Sequence, residues 1–144
     1  MTKFDVNLLN DEIFNFISLV DDYFNPKLSS RIDLYAYASK LYTNAKIVCA
    51  KDKNEILIGL CAFYINHKNN TSYLSFIAID KNYHGRNIGS ELINKMEQIL
   101  RELQIQEVRL EVYSNNTQAK NFYYYKGYHE INKNNDSTIL IKYI

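Results

Sequence analysis

One stretch, residues 72–113, constrains the fold more than any other. Residues 72–79 read as a strand, and a turn carrying Gly85 and Gly89 follows. An amphipathic helix starts at once, with Leu92, Ile93, Met96, Ile99, Leu100 and Leu103 at helical spacing. Residues 107–113 then alternate, with Val108, Leu110 and Val112 on one side of a second strand. A strand, a helix and a strand joined in this way pair in parallel through a right-handed crossover. The chain must therefore contain a sheet with at least one parallel pair and a helix on its face.

The rest of the sequence supplies antiparallel neighbours. Residues 3–8 alternate Phe4, Val6 and Leu8, the mark of a strand. Asn10 or Asp11 is placed to cap a helix carrying Ile13, Phe14, Phe16, Ile17 and Val20. Residues 21–30, with the single proline Pro26, read as a loop, and 33–42 as a second helix with Leu34, Tyr37, Ala38 and Leu41 inward. Strands at 45–50, 55–65 and 72–79, separated by polar turns at 51–54 and 67–70, form a meander. Residues 115–126 make a short helix that Gly127 ends in a left-handed conformation. A hairpin of 128–131 and 138–144 closes the chain. The order is β-α-α-β-β-β-α-β-α-β-β, an α/β fold with an α+β mixed sheet. A length of 144 residues without repeats or linkers suits a single domain, 1–144.

Composition removes several classes of function. A net charge of +1 gives no electrostatic case for nucleic acid. The longest apolar runs fall far short of the ~20 residues that span a bilayer, so no membrane is expected. The N-terminus has one Lys and no apolar core of a signal peptide, which predicts a cytoplasmic protein. Cys49 and Cys61 lie in apolar stretches and read as buried, reduced thiols. His67, His84 and His129 are scattered, so no metal is expected. With 13 tyrosines in the chain, only placement can mark one as functional.

The turn between 79 and 90 is a candidate phosphate cradle. A helix N-terminus leaves its first four amides without intrahelical partners and carries about half a positive charge. Glycines let such amides approach a phosphate closely. Ser90 adds a hydroxyl donor, and Arg86 adds a charge. The glycine spacing matches neither a Walker-type loop nor a dinucleotide fingerprint. Taken alone, two glycines at a strand-to-helix turn serve equally well as a purely structural turn.

A second motif lies downstream: Leu110-Glu-Val112, then Asn116, Ala119, Phe122-Tyr123 and Lys126-Gly127-Tyr128. Together the two stretches resemble the GNAT superfamily of N-acetyltransferases, and the resemblance covers nearly the whole chain. The family's loop, Arg/Gln-x-x-Gly-x-Gly/Ala, falls on His84, Gly85, Arg86, Asn87, Ile88 and Gly89. His84 stands where the family has Arg or Gln, and Asn87 where it has Gly. Asn tolerates left-handed backbone angles better than most residues. Tyr128 replaces the family's Phe.

The resemblance implies the acyl-CoA N-acyltransferase fold and acetyl-CoA (coenzyme A) as cosubstrate. Backbone at Ile77, Ala78 and Ile79 would meet the pantetheine arm. His84, Gly85, Arg86, Asn87, Ile88, Gly89 and Ser90 would hold the pyrophosphate. Asn116 would contact the cofactor arm as well as capping its helix. Tyr123 occupies the general-acid position and would protonate the departing thiolate. Its ordinary pKa near ~10 keeps it neutral at pH 7. The position from which some relatives supply a carboxylate base falls on Tyr73. Glu111, Asp80 and the Asp21-Asp22 pair are the other candidates, and none is assigned. The implied acceptor is a small-molecule primary amine, such as an amino sugar, with residues 21–42 on the acceptor side. A peptide or protein N-acetyltransferase and a non-catalytic acyl-CoA-binding domain are the alternatives. The protein is expected as a monomer or homodimer.

Overall fold

Strand β5 (Glu107–Tyr113) buries Val108, Leu110 and Val112 and turns Arg109 and Glu111 outward, as its alternation requires. Helix α3 (Ile88–Glu102) buries Leu92, Ile93, Met96 and Leu100 by the same logic at helical spacing. A computed structural model describes residues 2–144, and its remaining elements are set by similar patterns. They are β1 (Lys3–Asp5), α1 (Asn10–Val20), α2 (Leu34–Asn44), β2 (Lys46–Lys51), β3 (Leu57–Asn66) and β4 (Thr71–Ile79). After β5 come α4 (Thr117–Tyr125), β6 (His129–Lys133) and β7 (Ser137–Tyr143).

The seven strands form a mixed α+β sheet in the order β1-β2-β3-β4-β5-β7-β6. The β4–β5 pair is parallel, whereas β1–β2, β2–β3, β5–β7 and β6–β7 are antiparallel. The element order is the one read from the sequence.

The chain divides into two compact units. The first holds the residues up to Phe63 together with Phe76–Met96. Its core comprises Ile13, Phe16, Ile17 and Val20 of α1, Ala38 and Leu41 of α2, the buried run from Leu57 to Phe63 of β3, and the first half of α3. Helix α1 packs on α2. A Cβ on Gly59 would stand 3.3 Å from both Ile88 and Leu92, so this glycine sets how closely α3 approaches β3. Cys49 and Cys61 are both free and buried here. Burial raises the Cys49 thiol to about 11 and pushes Cys61 up as well. The second unit holds Tyr64–Ser75 and Glu97–Ile144, with Leu100, Ile105, Val108, Leu110, Leu140 and Ile141 in its core.

Most boundaries shift by one or two residues from expectation, and three of the differences are instructive. The first strand stops at Asp5 because its carboxylate accepts the amides of Val6 (2.7 Å) and Asn7 (3.2 Å), which turns the chain out of the sheet. Leu9, and neither Asn10 nor Asp11, is the N-cap of α1; the Glu12 carboxylate accepts its amide at 3.0 Å. The terminal hairpin begins at His129, and Tyr128 turns inward to the core at 3% exposed.

Candidate active site

In the first unit, β4 leads into a tightly hydrogen-bonded turn. The Asp80 amide donates to the Ile58 carbonyl at 2.8 Å, which fixes the strand end. The Asp80 side chain caps a 3-10 turn, Lys81–Tyr83, by accepting the Asn82 amide at 2.9 Å. The amides of Tyr83 and His84 donate to the Asp80 and Lys81 carbonyls at 2.8 and 3.3 Å. The Lys81 amide donates to the Tyr23 hydroxyl at 2.9 Å. Every amide from 80 to 84 is thus engaged within the protein.

His84 is used locally as well. Its Nε2 lies 2.8 Å from the Ile79 carbonyl oxygen. A carbonyl only accepts, so Nε2 carries the proton in this bond. The ring therefore ties the loop to its strand, which explains how His stands where the family has Arg or Gln.

Beyond His84 the backbone opens. Gly85 has φ +80° and Asn87 φ +64°, two left-handed residues that lift the chain between the turn and α3. The left-handed tolerance expected of Asn87 is in use. The first bond of α3 runs from the Glu91 amide to the Asn87 carbonyl at 3.1 Å. Among the described residues no backbone carbonyl receives the amides of Gly85, Arg86 or Asn87. A Cβ on Gly85 would meet nothing within 4 Å. Arg86 is exposed, with its guanidinium 4.9 Å from the Tyr83 ring centroid. Ile88 is buried and anchors the helix start, while Gly89 and Ser90 in its first turn are half-buried. Open space, left-handed backbone and a helix N-terminus fit a diphosphate. Ile77, Ala78 and Ile79 form the last turnless stretch before this loop, all half-buried in the second half of β4.

In the second unit, the parallel register takes in Thr71, Ser72 and Tyr73 of β4 with Glu107, Val108 and Arg109 of β5. Both strands continue beyond these partners. Asn116 caps α4, its side chain accepting the Ala119 amide at 3.1 Å. Tyr123 on α4 is 8% exposed. Its ring meets Phe122 and Tyr128 edge to face, with centroids 5.3 and 5.8 Å apart. Gly127 has φ +95° and ends the helix as expected.

Sequence reasoning missed the group behind Tyr128. Its hydroxyl donates to Glu97 at 3.0 Å. Glu97 is 2% exposed and also accepts from Lys142 (2.8 Å) and Arg101 (3.5 Å). The signal was present in the spacing: Glu97 lies four residues after Ile93 and three before Leu100, on the apolar stripe of α3.

Three of the candidate bases, Asp80, Asp21 and Glu111, have other duties. Asp80 caps its turn. Asp21 accepts both the amide and the hydroxyl of Ser29, and these bonds hold its carboxyl below the usual range. Glu111 is exposed and accepts from the Ser137 hydroxyl at 2.8 Å. Among the described residues no cluster of three or more His, Cys, Asp and Glu side chains could hold a metal. No helix among them is long and apolar enough to cross a membrane.

The Acetyltransferase (GNAT) family matches residues 13–128. No curated protein is similar enough in sequence to match. Among solved structures, a GNAT-family acetyltransferase from Staphylococcus aureus Mu50 superposes with a TM-score of 0.81 at 20% identity, covering 99% of both chains. The PaiA N-acetyltransferase of Thermoplasma acidophilum, solved with coenzyme A, gives 0.78 at 17% identity, covering 100% of this chain and 99% of that one. The ribosomal-protein-S18-alanine N-acetyltransferase of Escherichia coli gives 0.77 at 15%, covering 100% and 94%. Two left-handed residues that lead from a 3-10 turn into a helix, and a family match over most of the chain, lead to one conclusion: the chain belongs to the GNAT acetyltransferase family, whose members take their acetyl group from acetyl-CoA.

Proposed function

We propose that the protein transfers the acetyl group of acetyl-CoA to the primary amine of a small molecule by direct attack on the thioester. The observation that carries this reading is the loop from Gly85 to the start of α3: among the described residues no backbone carbonyl receives the amides of Gly85, Arg86 or Asn87, and open space lies at Gly85. In this reading the amides of Gly85, Arg86, Asn87, Ile88 and Gly89, with the Ser90 hydroxyl, hold the diphosphate, and Arg86 adds charge. Backbone at Ile77, Ala78 and Ile79 pairs with the pantetheine arm, and Asn116 meets the same arm. A backbone N–H near Ile77 or Ile79 steadies the carbonyl oxygen as negative charge develops. Tyr123 donates the proton that the leaving thiolate takes up. His84 holds the loop in place and leaves the anion to its neighbours. With Asp80 and Asp21 occupied by their turns, proton removal from the amine is assigned to water.

The second reading is a peptide or protein acceptor, an activity that the name of the Escherichia coli structure carries for that enzyme. The test is thiol release from acetyl-CoA against amino sugars, polyamines, aminoglycosides and peptides bearing free N-termini. Acceleration by a small amine alone supports the first reading, and acceleration by peptides alone replaces it with the second. Acetyl-CoA binding without acceleration by any amine leaves a binding domain.

A further inference from the structure

We infer that Tyr23 is a positioning residue that sets the segment 21–30 and the turn feeding the cofactor loop as one piece, so that coenzyme A binding and order in that segment rise together. The inference rests on the acetyl-CoA reading of the loop beginning at Gly85.

Tyr23 makes two contacts with that turn. Its hydroxyl accepts the Lys81 amide at 2.9 Å, the first amide of the 3-10 turn. Its ring meets the His84 ring at 6.1 Å and 77°, edge to face. His84 is itself bound to the Ile79 carbonyl. Tyr23 therefore touches both ends of residues 81–84, the piece of chain that aims Gly85 and Asn87.

The segment behind Tyr23 folds on itself. Asp21 reaches across to Ser29, accepting its amide and hydroxyl, and Leu28 is buried beneath. Phe24 lies against Phe76 of β4 at 5.7 Å, and Tyr37 of α2 meets the same ring at 6.3 Å. The aromatic cluster holds the segment to the strand, and the Tyr23 hydroxyl holds it to the turn. Lys27 and Ser29 stand exposed on its outer side.

The coupling follows from geometry. The amides of residues 82–84 bond within the turn and that of Lys81 bonds to Tyr23, so the turn shifts as a unit and carries Gly85 with it. An anion bound to the amides after His84 favours one setting of that unit. Tyr23 passes the preference to the segment 21–30. Linkage makes the effect reciprocal: whatever loosens the segment weakens anion binding by the same factor.

The test uses Tyr23→Phe, which keeps the ring and removes only the hydroxyl, with coenzyme A as the probe. Two quantities are read on the full chain: affinity by calorimetric titration, and the rate of tryptic cleavage at Lys27 and Arg31 with and without coenzyme A. The wild type should bind coenzyme A and be cleaved more slowly when it is bound. The variant should bind roughly threefold to tenfold more weakly, the worth of one hydrogen bond, and lose most of the protection. Equal protection in the two proteins, or binding by the wild type with no change in cleavage, overturns the coupling. A wild type that binds no coenzyme A overturns the reading of the loop itself.

Discussion

The Tyr128 hydroxyl donates to the Glu97 carboxylate at 3.0 Å, inside the core of the second unit. This hydroxyl is what distinguishes the chain from the family's Phe at that place, and a buried acid on α3 answers it. Lys142 completes the arrangement, 2.8 Å from Glu97 and with its Nζ 5.8 Å from the Tyr128 ring centroid. Glu97 is almost fully desolvated, whereas the Lys142 side chain keeps 22% of its surface in water. Removing Lys142 leaves the buried Glu97 with only the half-exposed Arg101 at 3.5 Å and the Tyr128 hydroxyl, whereas removing Glu97 leaves a lysine that can still reach water, and the buried charge is the costlier to strand. Lys142→Met should therefore lower stability more than Glu97→Gln, by about 3 against about 2 kcal/mol. The pair Glu97→Leu with Lys142→Met should recover most of the loss. Urea unfolding of the four proteins measures this, and a double variant less stable than both singles would contradict it.

Gly59 carries the contact between β3 and α3. Its added Cβ would stand 3.3 Å from Ile88 and Leu92 and 3.5 Å from Ala50, tighter than ordinary packing on two sides. Alanine asks these side chains to give by a few tenths of an ångström. Valine asks for more, and overpacking of a closed core costs about 1–3 kcal/mol. Gly59→Val should lower the thermal midpoint clearly more than Gly59→Ala. Because Ile88 opens α3, the same substitution should also weaken coenzyme A binding. An unchanged midpoint for Gly59→Val would show the contact to be slack.

What was legible in the sequence was periodicity. The alternation in β5 and the apolar stripe of α3 each reflect a burial pattern that repeats along the chain, so single residues could err without moving the element. The positive φ at Asn87 and Gly127 was legible because few residue types tolerate that geometry. Single side-chain bonds, whether local or between residues distant in sequence, were not legible. The end of β1 turns on one carboxylate turning back to its own neighbours' amides, which no period records. The Tyr23–Lys81 bond joins positions 58 apart, and one tyrosine among 13 gives no sign of it. The motif suggested a phosphate contact for His84, but not that its Nε2 and its amide would also bond within the loop, to Ile79 and Lys81. Glu97 drew no notice in the sequence, although it sits on the apolar stripe of α3 and is 2% exposed.

Both thiols should be inert in the native protein. Burial raises Cys49 to about 11 and leaves neither side chain accessible. The thiolate is the reactive form, so a disulfide reagent at pH 8 should label neither cysteine until denaturant is added, when it labels two. The sign for stability follows. A folded pKa raised above the unfolded one means that the native state keeps its proton while the unfolded chain loses it. The contribution is whole below the unfolded value near ~9 and is lost as pH climbs toward 11, at up to ~1.4 kcal/mol per pH unit. Stability measured from pH 8 to 11 should fall on that account, and Cys49→Ala should flatten part of the fall. Rapid labelling of the native protein would place a thiol at the surface.

Gly89 and Tyr123 separate binding from chemistry. Gly89 stands in the first turn of α3, where in the proposed reading its amide faces the diphosphate. Glutamate there adds a bulky anion beside two phosphates. Coenzyme A binding by Gly89→Glu should fall below detection in a calorimetric titration, with the fold intact by circular dichroism. Tyr123→Phe removes only a hydroxyl from a ring held by Phe122 and Tyr128, so packing is kept. If that hydroxyl protonates the thiolate, kcat should drop about a hundredfold, the lower end of general-acid contributions, while KM for acetyl-CoA stays near its wild-type value. The rate lost by Tyr123→Phe should also be partly restored by an acyl thioester whose thiol has a lower pKa, because such a leaving group needs the proton less. A drop of the same size for both thioesters would remove Tyr123 from the proton path and leave it as a packing residue of α4.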